Sequence, residues 1–183
     1  MAIYGGLRPY IGGPTSGEPI IQGFKIASAE GDDLFQGDTI QMEAAGSVTV
    51  NNADGALNIV GVLSGVEYTN ADGERVYTNK YNVDTTRNDN IAYVYTNPFQ
   101  QYIIRVTDGA GTSGTITQAD IGASADFDTT NAGNGTSGLS GITMENDTLA
   151  VTARVRIVGV SNEDGSNPLT EAAATTYTHA IVT

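Results

Sequence analysis

Few side chains in this chain could do covalent or proton-transfer chemistry, and spacing decides how far each candidate goes. There is one histidine, His179, and no cysteine. Thiol catalysis and cysteine-based zinc sites therefore drop out. His179 falls in an alternating stretch with Tyr177 and Ile181 on its own face, which predicts a structural histidine in a strand. A serine nucleophile on a strand-to-helix elbow would need Gly-x-Ser-x-Gly, and the run Gly138-Leu139-Ser140-Gly141 lacks that spacing. The run Gly109-Ala110-Gly111-Thr112-Ser113-Gly114 matches the dinucleotide fingerprint letter by letter. The fingerprint works only where a helix begins, so that its N-terminus can hold phosphates. Thr115-Ile116-Thr117 follows instead, so the run reads as a hairpin loop. Paired carboxylates could hydrolyse a sugar, but among twenty-one acids spacing singles out no pair. There is no tryptophan to stack on a sugar ring, and the nine tyrosines lie mostly in strand-like runs, where packing is the default. Oxygen-rich loops recur at 51–55, 70–74, 82–90 and 162–167. None has the alternating acidic spacing of a calcium loop, and Asp84, Asn88 and Asp89 come closest. The reading is a non-enzyme with no catalytic residue, no metal and no cofactor.

The elements that would carry these residues are strands. Period-two stretches recur between clusters of Gly, Asn and Asp, and no segment keeps a helical period. IIQGFKIA (20–27) opens the ordered part, and SVTV (47–50) leads through Asn52-Ala53-Asp54-Gly55 into a long strand. Asn70-Ala71-Asp72-Gly73 closes that strand, so two tight turns around it predict a β-meander. Leu57 and Ile59 have one parity, while Val60, Val62, Val66 and Tyr68 share the other. Gly61 sits at the change and predicts a bulge. In VTARVRIVGV (151–160), Val151, Ala153, Val155 and Ile157 should face inward, with Thr152, Arg154 and Arg156 outward. Thr117–Ile121 reads as a helical turn ended by Gly122, and 107–150 as short strands and ordered loops. The fold class expected is all-β: a single antiparallel β-barrel or β-sandwich domain with an extended N-terminal arm.

The chain has 183 residues, with eight basic residues against twenty-one acidic ones and a formal charge of −13. That balance argues against nucleic acid as a partner. No apolar run approaches membrane-spanning length. The start, MAIYGG, lacks the basic and apolar regions of a secretion signal, so synthesis in the cytoplasm without general export is expected.

Residues 1–19 differ from the rest. YGGLRPYIGGPTSGEP (4–19) holds five glycines and three of the five prolines, so it cannot fold on itself. Yet Tyr4, Leu7, Tyr10 and Ile11 would gain by burial, and Arg8 could pair with an acid. The segment therefore reads as an arm that orders on a neighbouring molecule, with Tyr4, Leu7, Arg8, Pro9, Tyr10 and Ile11 as contacts. The β-rich domain then spans 20–183. With no strand expected before Ile20, removal of residues 2–19 should leave it folded.

Several stretches in order resemble the head decoration, or cement, proteins of tailed bacteriophages. They are Gly6-Leu7-Arg8-Pro9 with Tyr10, YVYTNPFQQYIIRV (93–106), ITQADIGASADFD (116–128), GLSGITM (138–144), ARVRIVGV (153–160) and the last, histidine-bearing strand. The resemblance implies a β-rich, non-enzymatic structural protein on the outer surface of the virion capsid. It would bind the major capsid protein, cement neighbouring subunits and stabilise the DNA-filled head. Such proteins assemble as small symmetric oligomers; a homotrimer is the first expectation and a homodimer the next. The alternative is a receptor- or carbohydrate-binding β-module of a tail fibre or adhesin.

Overall fold

The computed structural model describes residues 5–10, 19–28, 30–51, 58–84, 87–131, 133–147, 149, 153–161 and 176–183. The first strands are β1 (Arg8–Pro9), β2 (Ile21–Lys25), β3 (Leu34–Phe35), β4 (Thr39–Met42), β5 (Val48–Val50) and β6 (Ile59–Thr69). There follow β7 (Arg75–Thr78), β8 (Lys80–Tyr81), β9 (Ile91–Tyr95), β10 (Tyr102–Thr107) and β11 (Ile116–Thr117). The last are β12 (Ser124–Ala125), β13 (Phe127–Asp128), β14 (Thr143–Glu145), β15 (Val155–Ser161), β16 (Thr176–Tyr177) and β17 (His179–Val182). The protein is all-β, and its one helical turn among the described residues is Gln118–Asp120. Asp120 Oδ2 accepts from the Thr117 N–H and hydroxyl at the start of that turn, and Gly122 follows it at φ +97°.

Two sheets carry the fold. The first runs β2-β9-β6-β4-β5, with β7 also on β6. Just past β2, Ile26 bridges in parallel to Val48 of β5, which nearly closes the sheet into a small barrel. Ile26, Leu34, Ile40, Val48, Leu63, Val66, Tyr81, Ala92 and Val94 fill its interior. The second sheet runs β12-β15-β17-β10-β14-β13, with β1 on β10. Its core holds Ile104, Val106, Phe127, Met144, Ile157, Tyr177 and Val182. Apart from the Ile26–Val48 bridge, the described strands of these two sheets pair antiparallel except for β10 and β14, where Val106 meets Met144.

Strand β6 serves both cores, and its bulges explain how. Opposite β4 the register jumps from Ile40↔Gly61 to Gln41↔Ile59, so the bulge falls beside Gly61 as its position in the sequence predicts. A Cβ at Gly61 would sit 1.9 Å from the Tyr95 carbonyl oxygen, so the close strand approach requires glycine. Opposite β9 a second shift separates Leu63↔Val94 from Gly65↔Tyr93. This shift reverses the faces. Val62 joins the core of the second sheet, whereas Leu63 and Val66 point into the barrel. Val62 and Val66 therefore part company, although simple alternation puts them together.

Three further expectations are corrected. The meander is not formed between β5 and β6: β4 takes the place beside β6, and β5 folds back on β4 through Glu43–Ser47, while the expected turn at 52–55 lies outside the described residues. The second turn holds, with the Asn70 side chain accepting from the Asp72 and Glu74 N–H groups and Gly73 at φ +83°. Arg154 does not face solvent. Its side chain is buried and pairs with Asp126 at 3.0 Å, because a guanidinium that leaves water requires a carboxylate. Finally, a strand does form before Ile20. Arg8 and Pro9 pair with Ile103 and Tyr102 at the border of the second sheet.

Candidate interaction surface

Residues 5–10 are built into the body by ordinary backbone chemistry. The N–H groups of Gly6, Leu7 and Tyr10 donate to the carbonyls of Ile142, Gly37 and Gln101 at 2.6, 3.0 and 2.8 Å. The glycines permit this approach: a Cβ on Gly5 would lie 2.4 Å from the Ile142 oxygen, and Gly6 has φ +98°. Leu7 is only 3% exposed and belongs to the core of the second sheet. Pro9 has no N–H to offer, which suits an edge strand. Of the six expected arm contacts, Leu7 is taken up inside the molecule, Arg8 is exposed, and Pro9 and Tyr10 are half-buried. Tyr4 and Ile11 lie outside the described residues.

The strand β1 runs antiparallel to β10, toward the turn Asn97–Gln100. In that turn the Asn97 side chain accepts from the Phe99 N–H, and the Gln100 N–H donates to the Asn97 carbonyl. The turn leaves Phe99 76% exposed. Just before it, the Thr96 N–H donates to the Ile20 carbonyl at 2.9 Å, which brings the start of β2 to the same place. Ile20 and Ile21 are 52% and 47% exposed. From Ile21 to Lys25, β2 pairs only with β9 among the described residues, which leave its other edge without a strand partner. Sequence reasoning missed Phe99 and its neighbours. The available signal was a phenylalanine directly after Asn-Pro, inside a turn with no strand face on which to hide.

The residues that could do chemistry have structural employment. His179 is buried in β17, and its Nδ1 lies 3.1 Å from the Thr178 hydroxyl. The run Gly109–Gly114 is a loop between β10 and β11, bridged Thr107↔Ser113 at its base. Its Gly111 N–H donates to the Asp128 carboxylate at 3.0 Å, where a phosphate would be repelled. Burial pushes the Asp128 carboxyl up, but hydrogen bonds from Thr130, Thr107 and Gly111 outweigh it and hold the group below the usual range. Asp84 pairs with Arg87 at 2.9 Å, and Asp89 with Arg75 at 2.8 Å. Among the described residues, no three His, Cys, Asp or Glu side chains are grouped to hold a metal.

One acid is out of the ordinary. Asp38 borders an open cavity of about 620 Å³, shared with Asp32, Asp33, Phe35 and Asn131. Burial raises the Asp38 carboxyl to about 6, against hydrogen bonds from the Ser140 side chain and the Phe35 N–H. The Phe35 contact is 2.7 Å long and closes the β3–β4 corner.

On the barrel's outward face, Tyr93 of β9 donates its hydroxyl to Glu67, and Arg75 pairs with the same carboxylate at 2.8 Å. The Tyr93 contact first and Arg75 second hold Glu67 below the usual range. Thr69 and Arg75 similarly keep Asp89 low, the hydroxyl contributing more.

Comparison of the chain with protein-family models, with curated proteins and with solved structures finds no match.

Proposed function

We propose that this protein is a structural component of a phage virion that binds the outside of the capsid and cements neighbouring major capsid protein subunits. The observation that carries the reading is the exposure of three large apolar side chains, Ile20 and Ile21 at the start of β2 and Phe99 in the turn after β9, on a chain of charge −13. Large exposed apolar side chains at a strand edge left unpaired by the described residues favour a protein partner. An extended capsid segment could add to β2 by backbone pairing, with its side chains meeting Ile21 and Phe99. The exposed Arg8 on β1 is available for a charge-assisted contact. In an oligomer, trimer first and dimer next, several such edges would act together and raise the effective concentration of each. Binding the assembled shell better than its free subunits stabilises the shell by mass action. The resemblance of the sequence to cement proteins supports the same reading.

Co-sedimentation with expanded, undecorated heads of the phage that encodes the protein tests it. The full chain should pellet saturably. The double variant Ile20→Lys, Phe99→Asp should stay in the supernatant while melting at an unchanged temperature, because both side chains already face solvent. A full chain that never pellets overturns the proposal, and a variant that pellets as well as the parent removes the edge from it.

A further inference from the structure

We propose that the outward face of the barrel is a binding platform for a neutral pyranose ring, centred on Tyr77 and Tyr93. Their ring centroids lie 5.8 Å apart at an interplanar angle of 48°. The strand register explains why both rings lie over the sheet. Tyr93 is opposite Gly65 of β6 on one side and Gly23 of β2 on the other. A Cβ on Gly65 would meet the Tyr77 hydroxyl oxygen at 2.3 Å, whereas one on Gly23 would meet Ile91 Cγ2 first, at 3.2 Å, and the Tyr93 ring only at ordinary contact distance. Tyr77 thus occupies the space that Gly65 on the neighbouring strand leaves open. Covering a glycine accounts for a ring that is buried, but Tyr77 remains 61% exposed.

The polar surroundings are ordered before any ligand arrives. Glu67 accepts from Tyr93 and from Arg75, and Arg75 also holds Asp89. Lys25, opposite Ile91 in the register, shares this face with Gly23. Arg75, paired with Glu67 and Asp89, and Lys25, in register beyond Ile91, thus balance two carboxylates, and the platform is locally neutral on a chain of charge −13. A sugar fits this chemistry. The C–H face of a pyranose packs on an aromatic ring, and its hydroxyls exchange hydrogen bonds with a fixed carboxylate and guanidinium. An anionic glycan or nucleic acid would meet the repulsion of the whole molecule. Tyr77 stands three strands from the β2 edge, so the platform and the capsid contact are separable by mutation.

Proton NMR titration of the full chain with maltotriose, cellotriose, lactose, a mannotriose and sialyllactose tests the inference. At least one neutral sugar should shift the ring protons of both Tyr77 and Tyr93 saturably, with sialyllactose weaker. Tyr77→Ala should weaken that sugar about tenfold, the equivalent of about 1.4 kcal/mol. Tyr77→Phe, which keeps the ring, should restore most of the affinity. Silence from all four neutral sugars overturns the proposal, and the Tyr77 ring is then cover for Gly65. Binding that leaves the tyrosine protons unmoved, or that survives Tyr77→Ala intact, overturns it equally. Capsid binding by the Ile20→Lys, Phe99→Asp chain is a separate readout, so either proposal can fail alone.

Discussion

Asp38 shows how a single side chain can set the pH response of the whole protein. Its carboxyl lies at about 6 in the fold, against an ordinary 3.8, because burial penalises its charge. A raised carboxyl contributes stability that is complete below its unfolded value and is lost as pH climbs through its folded one. A rise of this size corresponds to about 3 kcal/mol lost between about pH 4 and pH 6. Asp38→Asn keeps an acceptor for the Phe35 N–H and cannot ionise. It should remove this decline and leave the variant the more stable chain at neutral pH. Urea unfolding of both chains at a series of pH values across that window checks the prediction; parallel curves would place the decline elsewhere. Asp84 and Asp89, the acids nearest to a calcium-loop pattern, each hold an arginine, and so does Asp126. Asp84 pairs locally with Arg87, whereas spacing alone could not reveal the pairs of Asp89 with the distant Arg75 and of Asp126 with the inward-facing Arg154.

At the scale of elements, β1 is the departure with the largest consequence. Glycine and proline density in residues 4–19 points to an arm that orders elsewhere, which is sound as a statement of local propensity. What local propensity cannot include is a vacant edge on β10, or the Ile142 and Gly37 carbonyls waiting for the Gly6 and Leu7 N–H groups. Deleting residues 1–10 therefore strips a strand from the second sheet and empties the site of Leu7. Loss of a buried leucine alone costs about 2–5 kcal/mol, so the deletion should lower Tm by about 5–15 °C. Differential scanning calorimetry of the two chains decides it; an unchanged Tm would mean that residues 5–10 contribute nothing to the fold. The bulge beside Gly61 was legible, since a glycine at a change of parity marks where a strand must bend to keep both apolar sets buried. The second bulge, between Leu63 and Gly65, was not, because Ser64-Gly65 also suits ordinary alternation.

Across the whole molecule, the two cores are joined through β6, which sends Val62 to one and Leu63 and Val66 to the other. Strands that pair in one sheet and pack on both sides transmit the loss of either core. Leu63→Ala in the barrel and Ile104→Ala in the second sheet should each shift one shared unfolding transition. Two transitions, with each variant moving a different one, would show that the cores unfold separately. The same arrangement leaves the outer faces open for contacts: the exposed Ile20, Ile21 and Phe99 at one place, and the Tyr77–Tyr93 platform, with Tyr77 three strands from β2, at another.

Composition and period-two patterning alone determined that the protein is all-β and where most strands lie, because alternation and turn residues act over a few neighbouring positions. The Asn70–Gly73 hairpin, the Gly61 bulge, the loop at Gly109–Gly114 and the strand-bound His179 were all legible on that basis. Which strands become neighbours was settled only in three dimensions. The insertion of β4 between β5 and β6, the docking of β1 and the burial of Arg154 each depend on partners far away in the chain. Strand pairing and burial are contests among distant segments for the same edges and the same interior, and no local run of residues contains the outcome.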